Sequence, residues 1–146
     1  IQTNIQEDCR IMMLSDVRDY VESLELADRV YMGSLPDKQE KSIGVYNSKH
    51  QQEYKTALGG PKLVSYGTKY VTLLIHWNKS PRESEKAAMT AFDAVKAARN
   101  VTVNNQLIKF IQPLYEPQDV GKDDAGICEW VIEMAVIYEK GKGEKE

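Results

Sequence analysis

The spacing of hydrophobic residues changes along the chain, and these changes predict its secondary structure. Between Glu7 and Leu26 apolar side chains recur every three or four positions with charged residues in the gaps, which predicts an amphipathic helix. The sequence SPRE at 80–83 combines the hydroxyl cap, the proline and the acidic residue that open helices. We therefore expect a second helix that runs to about Ala98, with alanines that allow it to pack closely on a sheet.

Extended segments are predicted where aliphatic, aromatic and β-branched residues are enriched. We expect five of them: 29–35, 43–46, 62–77, 106–115 and 127–139. The third is too long for one ordinary strand, so Gly67 is expected to mark a bulge or a turn within it. The polar stretches 47–61 and 117–126 are predicted to be loops.

The order of these elements predicts a single α+β domain over residues 1–139. Strands and helices do not alternate regularly, as they do in βαβ units. We therefore expect a mostly antiparallel or mixed sheet of about four to six strands, with the two main helices packed on one face. Residues 140–146 consist of charged residues and glycine and are predicted to be a disordered tail.

The last predicted strand has two chemically different faces. One face is apolar and is expected to join the core; it carries Cys128, Trp130, Ile132, Met134, Val136 and Tyr138. The other face sets apolar residues between acids; it carries Glu129, Val131, Glu133, Ala135, Ile137 and Glu139. A lone monomer would leave this half-apolar face uncovered. We expect it to meet either a second sheet or a neighbouring subunit.

Composition and charge exclude several classes of protein. The chain has 146 residues with 22 acidic and 19 basic side chains, and a net charge of −3 argues against nucleic acid as the main ligand. We expect no membrane span, because no apolar run approaches the ~20 residues required. We also expect no signal peptide, since acids interrupt the first ten residues. Cys9 and Cys128 are predicted to be buried thiols, as suits a reducing cytoplasm.

Residues that carry chemistry are scarce. The only histidines are His50, in a polar loop, and His76, which lies beside Trp77 in an apolar strand and is expected to be a hydrogen-bonded structural residue. Neither has cysteines or acids at the sequence spacing of a zinc site. The acidic stretch 118–124 lacks the ligand spacing of an EF-hand, which favours a solvated loop over a calcium site. We therefore expect no enzyme activity, no cofactor and no metal.

Two runs of sequence resemble a known family. The first is VYMGSLPDK at 30–38, followed by IGVY at 43–46. The second is VTLLIHWNKS at 71–80, which leads into a helix with acids at 83 and 85 and alanines at 87–88. These runs and the order of elements over most of 29–139 resemble the minor capsid, or tail-terminator-like, proteins of tailed bacteriophages of Gram-positive hosts.

The resemblance implies a structural protein of the virion that assembles in the bacterial host cytoplasm. Such proteins typically form a ring, often a hexamer, at the head-proximal end of the tail tube. The ring ends tube polymerisation and presents a surface to the head connector. Subunits in a ring meet through heterologous contacts, which suit mixed apolar and charged surfaces. The candidate interface residues are Glu129, Val131, Glu133, Ala135, Ile137, Asp37, Lys38 and Lys41.

Three other functions stay open at this point. A head-completion, or stopper, protein would bind the portal ring instead of the tail tube. A small ligand-binding or enzymatic α+β domain would hold a pocket between sheet and helices, and it is disfavoured because no paired titratable residues stand out. A nucleic-acid-binding module is disfavoured by the acidic charge.

Overall fold

Two helices and seven strands make up the part of the chain that the structure, a computed structural model, describes: residues 11–36, 39–49 and 66–139. In chain order the elements are α1 (Leu14–Ser23), β1 (Arg29–Met32), β2 (Ser42–Asn47), β3 (Tyr66–His76), α2 (Pro81–Lys96), β4 (Arg99–Val103), β5 (Gln106–Pro113), β6 (Gln118–Lys122) and β7 (Cys128–Glu139). The predictions made for residues 1–10, 37–38, 50–65 and 140–146, including the disordered tail, concern residues outside these ranges.

All seven strands belong to one mixed sheet. Its order is β1-β2-β3-β7-β5-β4, and β6 also pairs with β7. Only the β1–β2 pair is parallel among these strands. The long strand β7 pairs along one edge with β3, and along the other edge with β6 at its start and β5 at its end. The predicted α+β class with a mostly antiparallel or mixed sheet is confirmed.

Both helices pack on the same side of the sheet, which we call the first face. The prediction for β7 is confirmed, because Ile132, Met134, Val136 and Tyr138 point into the core on this face. The same buried cluster contains side chains from four other strands and from both helices, among them Val30, Ile43, Val45, Val71, Leu73, Ile75, Ile108, Ile111, Val17, Val21, Ala88, Ala91 and Val95. Burial of one large aliphatic side chain contributes about 1.5–3 kcal/mol, so this core is the main source of stability.

Helix α2 begins where the cap sequence predicts, but its hydrogen bonds differ from those of a full capping box. Ser80 Oγ accepts a hydrogen bond from the Glu83 backbone N–H at 3.3 Å, as expected. The Glu83 carboxylate instead accepts from Asn78 Nδ2, and Asn78 Oδ1 accepts from the Ser80 N–H. Asn78 therefore accepts from the Ser80 backbone N–H, the hydrogen bond that the glutamate accepts in a full capping box.

Helix α1 begins at Leu14, so the prediction of a start at Glu7 is wrong for residues 11–13. The buried Asp16 explains this start, because its carboxylate accepts from the Met13 backbone N–H at 2.9 Å and so caps the helix. The same carboxylate accepts hydrogen bonds from Asn104 Nδ2 and Gln106 Nε2, which join α1 to the β4–β5 hairpin.

Strand β3 runs without interruption from Tyr66 to His76, so the predicted bulge or turn at Gly67 is wrong. Gly67 lies in register opposite Tyr138 on β7, and the ladder between the two strands shows no shift. A partner strand of twelve residues is long enough to hold all eleven residues of β3 in one ladder.

Two strands, β4 and β6, were not predicted from the sequence. Strands β4 and β5 form a hairpin whose turn, Asn104-Asn105, has positive φ at both residues (50° and 65°), a conformation that asparagine tolerates. Strand β6 lies in the predicted loop 117–126, and all five of its residues are exposed, so it shows no apolar alternation. Pairing with β7 holds it in place.

Candidate assembly face and histidine–carboxylate cluster

The side of the sheet opposite the helices, which we call the second face, carries a row of partly exposed apolar side chains. Leu74 on β3 lies in register with Val131 on β7, and both are half-buried. Further along β7, Ile137 lies opposite Phe110 on β5, whose side chain is 38% exposed. Cross-strand pairs such as these stabilise a sheet locally, and here they leave apolar side chains partly exposed on the second face.

Two of the predicted interface residues are buried within the subunit. Glu133 is 7% exposed and Ala135 is 5% exposed. One oxygen of the Glu133 carboxylate, Oε1, accepts hydrogen bonds from Ser48 Oγ at 2.7 Å and Thr72 Oγ1 at 2.8 Å. A buried carboxylate needs such partners, because transfer of a charge out of water is costly. Glu133 therefore stabilises the subunit and offers little surface to a partner.

The other predicted interface residues differ in position. Glu129, Val131 and Ile137 are half-buried on the second face, and Lys41 is exposed. The Lys41 backbone makes hydrogen bonds to two other segments: its N–H donates to Trp77 O at 2.7 Å, and its carbonyl accepts from the Asp28 N–H. Asp37 and Lys38 lie outside the described residues. That this surface meets a neighbouring subunit stays a prediction.

A polar cluster lies at one end of the second face, around His76. This side chain is 5% exposed at the last position of β3, directly opposite Glu129 at the start of β7. Its Nε2 atom is 2.7 Å from Asp123 Oδ2 and 3.8 Å from Glu129 Oε2. Its Nδ1 atom makes a short hydrogen bond with the carbonyl oxygen of Gln39. Four separate parts of the chain thus meet at one imidazole ring.

The turn between β6 and β7 holds Asp123 in place. Asp123 Oδ1 accepts hydrogen bonds from the backbone N–H groups of Ala125 and Ile127, both at 2.9 Å. This leaves Oδ2 directed at His76. The hydrogen bond from His76, followed by that from Ile127, lowers the pKa of Asp123 below its usual range. Asp123 is therefore an ionised carboxylate at neutral pH.

Glu129 has the opposite shift. Burial raises the pKa of Glu129, the negative charge of Asp123 raises it further, and His76 lowers it. The Gln39 carbonyl and the ionised Asp123 carboxylate can only accept, so each ring nitrogen of His76 faces a hydrogen-bond acceptor. The cluster thus sets two carboxylates against one imidazole ring. A cleft lined by Ser34, Leu35, Pro36, Tyr46 and Leu74 adjoins it.

The sequence-based expectation of a hydrogen-bonded structural histidine at position 76 is confirmed, but its partners were not foreseen. Asp123 is 47 residues from His76 in sequence and was assigned to a solvated loop. Only the antiparallel register of β3 and β7, which sets His76 opposite Glu129, brings the cluster together. The expectation of a buried thiol is also confirmed at Cys128. His50 and Cys9 lie outside the described residues.

Comparison with known protein families identifies the family of this chain. A family model described as bacteriophage tail terminator protein matches residues 14–140. The chain belongs to this tail terminator family. The match begins at the first residue of α1 and ends one residue after β7, so it includes the whole described sheet and both helices. No curated protein matches the chain.

Membership of the tail terminator family gives the chain a structural role in the phage tail, as a component of the virion. The tail-terminator family inferred from the two sequence runs is thereby confirmed, and the Gram-positive host stays a prediction. Among the described residues, no helix combines the length and apolar character needed to cross a bilayer.

Proposed function

We propose that the chain forms a closed ring at the head-proximal end of the phage tail, where it ends polymerisation of the tail tube and joins the tube to the head connector. The ring, a hexamer in this proposal, assembles in the bacterial cytoplasm and acts by contact alone, without catalysis. Family membership supports the location at the tail. The half-exposed apolar row on the second face carries the proposal that copies of the chain contact one another.

The second face has the composition of an interface with a neighbouring copy. Val131, Ile137 and Phe110 supply partly exposed apolar side chains, Glu129 supplies a charge on the same face, and Lys41 is an exposed charge just before β2. Protein interfaces commonly have an apolar centre with a polar rim. A ring requires that each copy use two different surfaces, so the second face of one copy contacts another region of its neighbour.

Charge substitution of one exposed aromatic residue tests this interface. Phe110 on β5 is 38% exposed, and Met89 on the outer side of α2 is 36% exposed, so the two are matched in size and exposure but lie on opposite layers. Phe110→Glu should prevent ring formation because it places a charge in the apolar centre, whereas Met89→Glu should leave it intact. Thermal melting of both variants checks that each still folds.

The function itself is tested in phage that carry a nonsense mutation in the gene for this chain. We expect electron micrographs of such infections to show tail tubes of irregular length without heads. Wild-type protein and Met89→Glu should restore joined virions, and Phe110→Glu should not. Uniform tails joined to heads without the chain would refute the proposal. Tubes of uniform length, with the chain bound to the portal, would show a stopper instead. Full rescue by Phe110→Glu would refute the interface.

A further inference from the structure

We propose that His76, Asp123 and Glu129 form a binding site for one divalent transition-metal ion of the zinc class, which fastens the β6–β7 turn to the end of β3. The three residues come from β3, the β6–β7 turn and β7, and no local sequence motif joins them. One ligand atom from each lies within 4.8 Å of the others. This inference does not depend on ring formation.

The distances between the ligand atoms fit a small tetrahedral ion. Zinc binds nitrogen and oxygen ligands at about 2.0–2.1 Å, which places neighbouring ligand atoms about 3.3 Å apart. The separations from His76 Nε2 to the carboxylate oxygens, 2.7 Å to Asp123 and 3.8 Å to Glu129, bracket that value. Movements of the two carboxylate oxygens by about half an ångström would bring both separations to that value.

The surroundings orient two of the three ligands for coordination. A histidine that binds a metal generally donates its other ring N–H to a carbonyl or carboxylate, and His76 Nδ1 does so to Gln39. The nitrogen that faces the carboxylates is therefore Nε2, whose lone pair can bind an ion in the tautomer that carries hydrogen on Nδ1. Asp123 is fixed in the same way, because backbone N–H groups occupy Oδ1 and leave Oδ2 facing the ring.

The charge of the cluster favours a divalent ion. Two carboxylates face one buried imidazole, and a divalent cation balances the charge of both. Glu129 is too far from Nε2 for a hydrogen bond at 3.8 Å, but it is close enough to share an ion with it. An imidazole ligand beside carboxylates selects zinc, cobalt or nickel over magnesium and calcium, which prefer oxygen ligands alone. All three residues line a cleft, and water from that cleft is the fourth ligand in this proposal.

Metal titration of the untagged full chain, after treatment with a chelator, tests the site. Cobalt(II) serves as the spectroscopic probe, because tetrahedral coordination gives intense visible absorption, and zinc(II) should displace it. We expect saturation at one ion per chain and a higher melting temperature with zinc, since a ligand that binds only the folded state stabilises it. Magnesium at the same concentration should give neither effect.

Three ligand variants and one control variant separate a built site from incidental binding. Glu129→Gln and Asp123→Asn keep the size of the side chain but lose a ligand charge, and each should weaken zinc binding by about tenfold or more. Asp124→Asn removes a neighbouring exposed carboxylate in the same turn and should change affinity by less than about twofold. His76→Ala should abolish the cobalt spectrum; if it fails to fold, the Glu129 variant decides.

Two results would overturn the proposal. If wild-type protein shows no saturable cobalt or zinc binding at one ion per chain, the cluster is an ion pair that stabilises the fold. If Glu129→Gln and Asp124→Asn bind zinc with the same affinity as wild type, the ion lies elsewhere on the chain.

Discussion

Substitution of Glu133 tests whether part of the second face is buried within the subunit. Its carboxylate accepts two hydrogen bonds, from Ser48 and Thr72, and it is 7% exposed. Hydrogen bonds to a charged group contribute about 1.5–3 kcal/mol each. Glu133→Ala loses both but also removes a charge from a poorly solvated position, which offsets part of the loss. We therefore expect the free energy of unfolding to fall by about 2–4 kcal/mol.

Urea denaturation followed by tryptophan fluorescence measures this loss, and the melting temperature should fall by roughly 3 °C for each kcal/mol in a chain of this length. Glu116→Ala, at an exposed glutamate, is the control and should change stability by less than about 0.5 kcal/mol. A double-mutant cycle with Thr72→Val should give a coupling energy above about 0.5 kcal/mol. If Glu133→Ala were as stable as the control, Glu133 would be free to contact a neighbouring subunit and our account of its burial would be wrong.

Three further predictions concern other parts of the fold. Ser80→Ala removes the acceptor of the Glu83 N–H and should cost about 1 kcal/mol in urea denaturation, while an unchanged midpoint would show that Asn78 alone caps α2. Ala88→Leu should cost about 1–3 kcal/mol in the same assay, because Ala88 has no exposed surface where α2 meets the sheet; equal stability would mean looser packing. Since the folded state lowers the pKa of Asp123, its contribution to stability is complete above about pH 4 and is lost as the pH falls further. Acid unfolding curves of wild type and Asp123→Asn should therefore converge below that pH, and parallel curves would contradict this.

Local signals in the sequence predicted the elements whose structure depends on neighbouring residues. The cap at Ser80 placed the start of α2, and the alternation of β7 identified its core face, because a period of two is unambiguous over twelve residues. The fold class followed from the order of these elements.

The features that the sequence did not reveal depend on contacts between distant segments. Strand β6 is exposed throughout, and its pairing with β7 holds it in the sheet. The start of α1 depends on Asp16, which also binds side chains of the β4–β5 hairpin. The β4–β5 hairpin is an exception, since two consecutive asparagines are a turn signal that the prediction overlooked.

The cluster around His76 depends on register as well as topology. A shift of β3 by one residue against β7 would turn His76 and Glu129 to opposite faces of the sheet, and no composition-based argument fixes that register. The same holds for Glu133: its position in the sequence predicts a surface acid, but hydroxyl partners on β3 and after β2 bury its carboxylate.

The central claim is that this member of the tail terminator family closes the tail as a ring at the head-proximal end. Cryo-electron microscopy of intact virions tests it most directly. We predict a closed ring of copies of this chain between the last tube layer and the head connector, in which Phe110 of each copy is buried against its neighbour. A chain located at the distal tip or within the head, or present there as isolated copies, would contradict the claim.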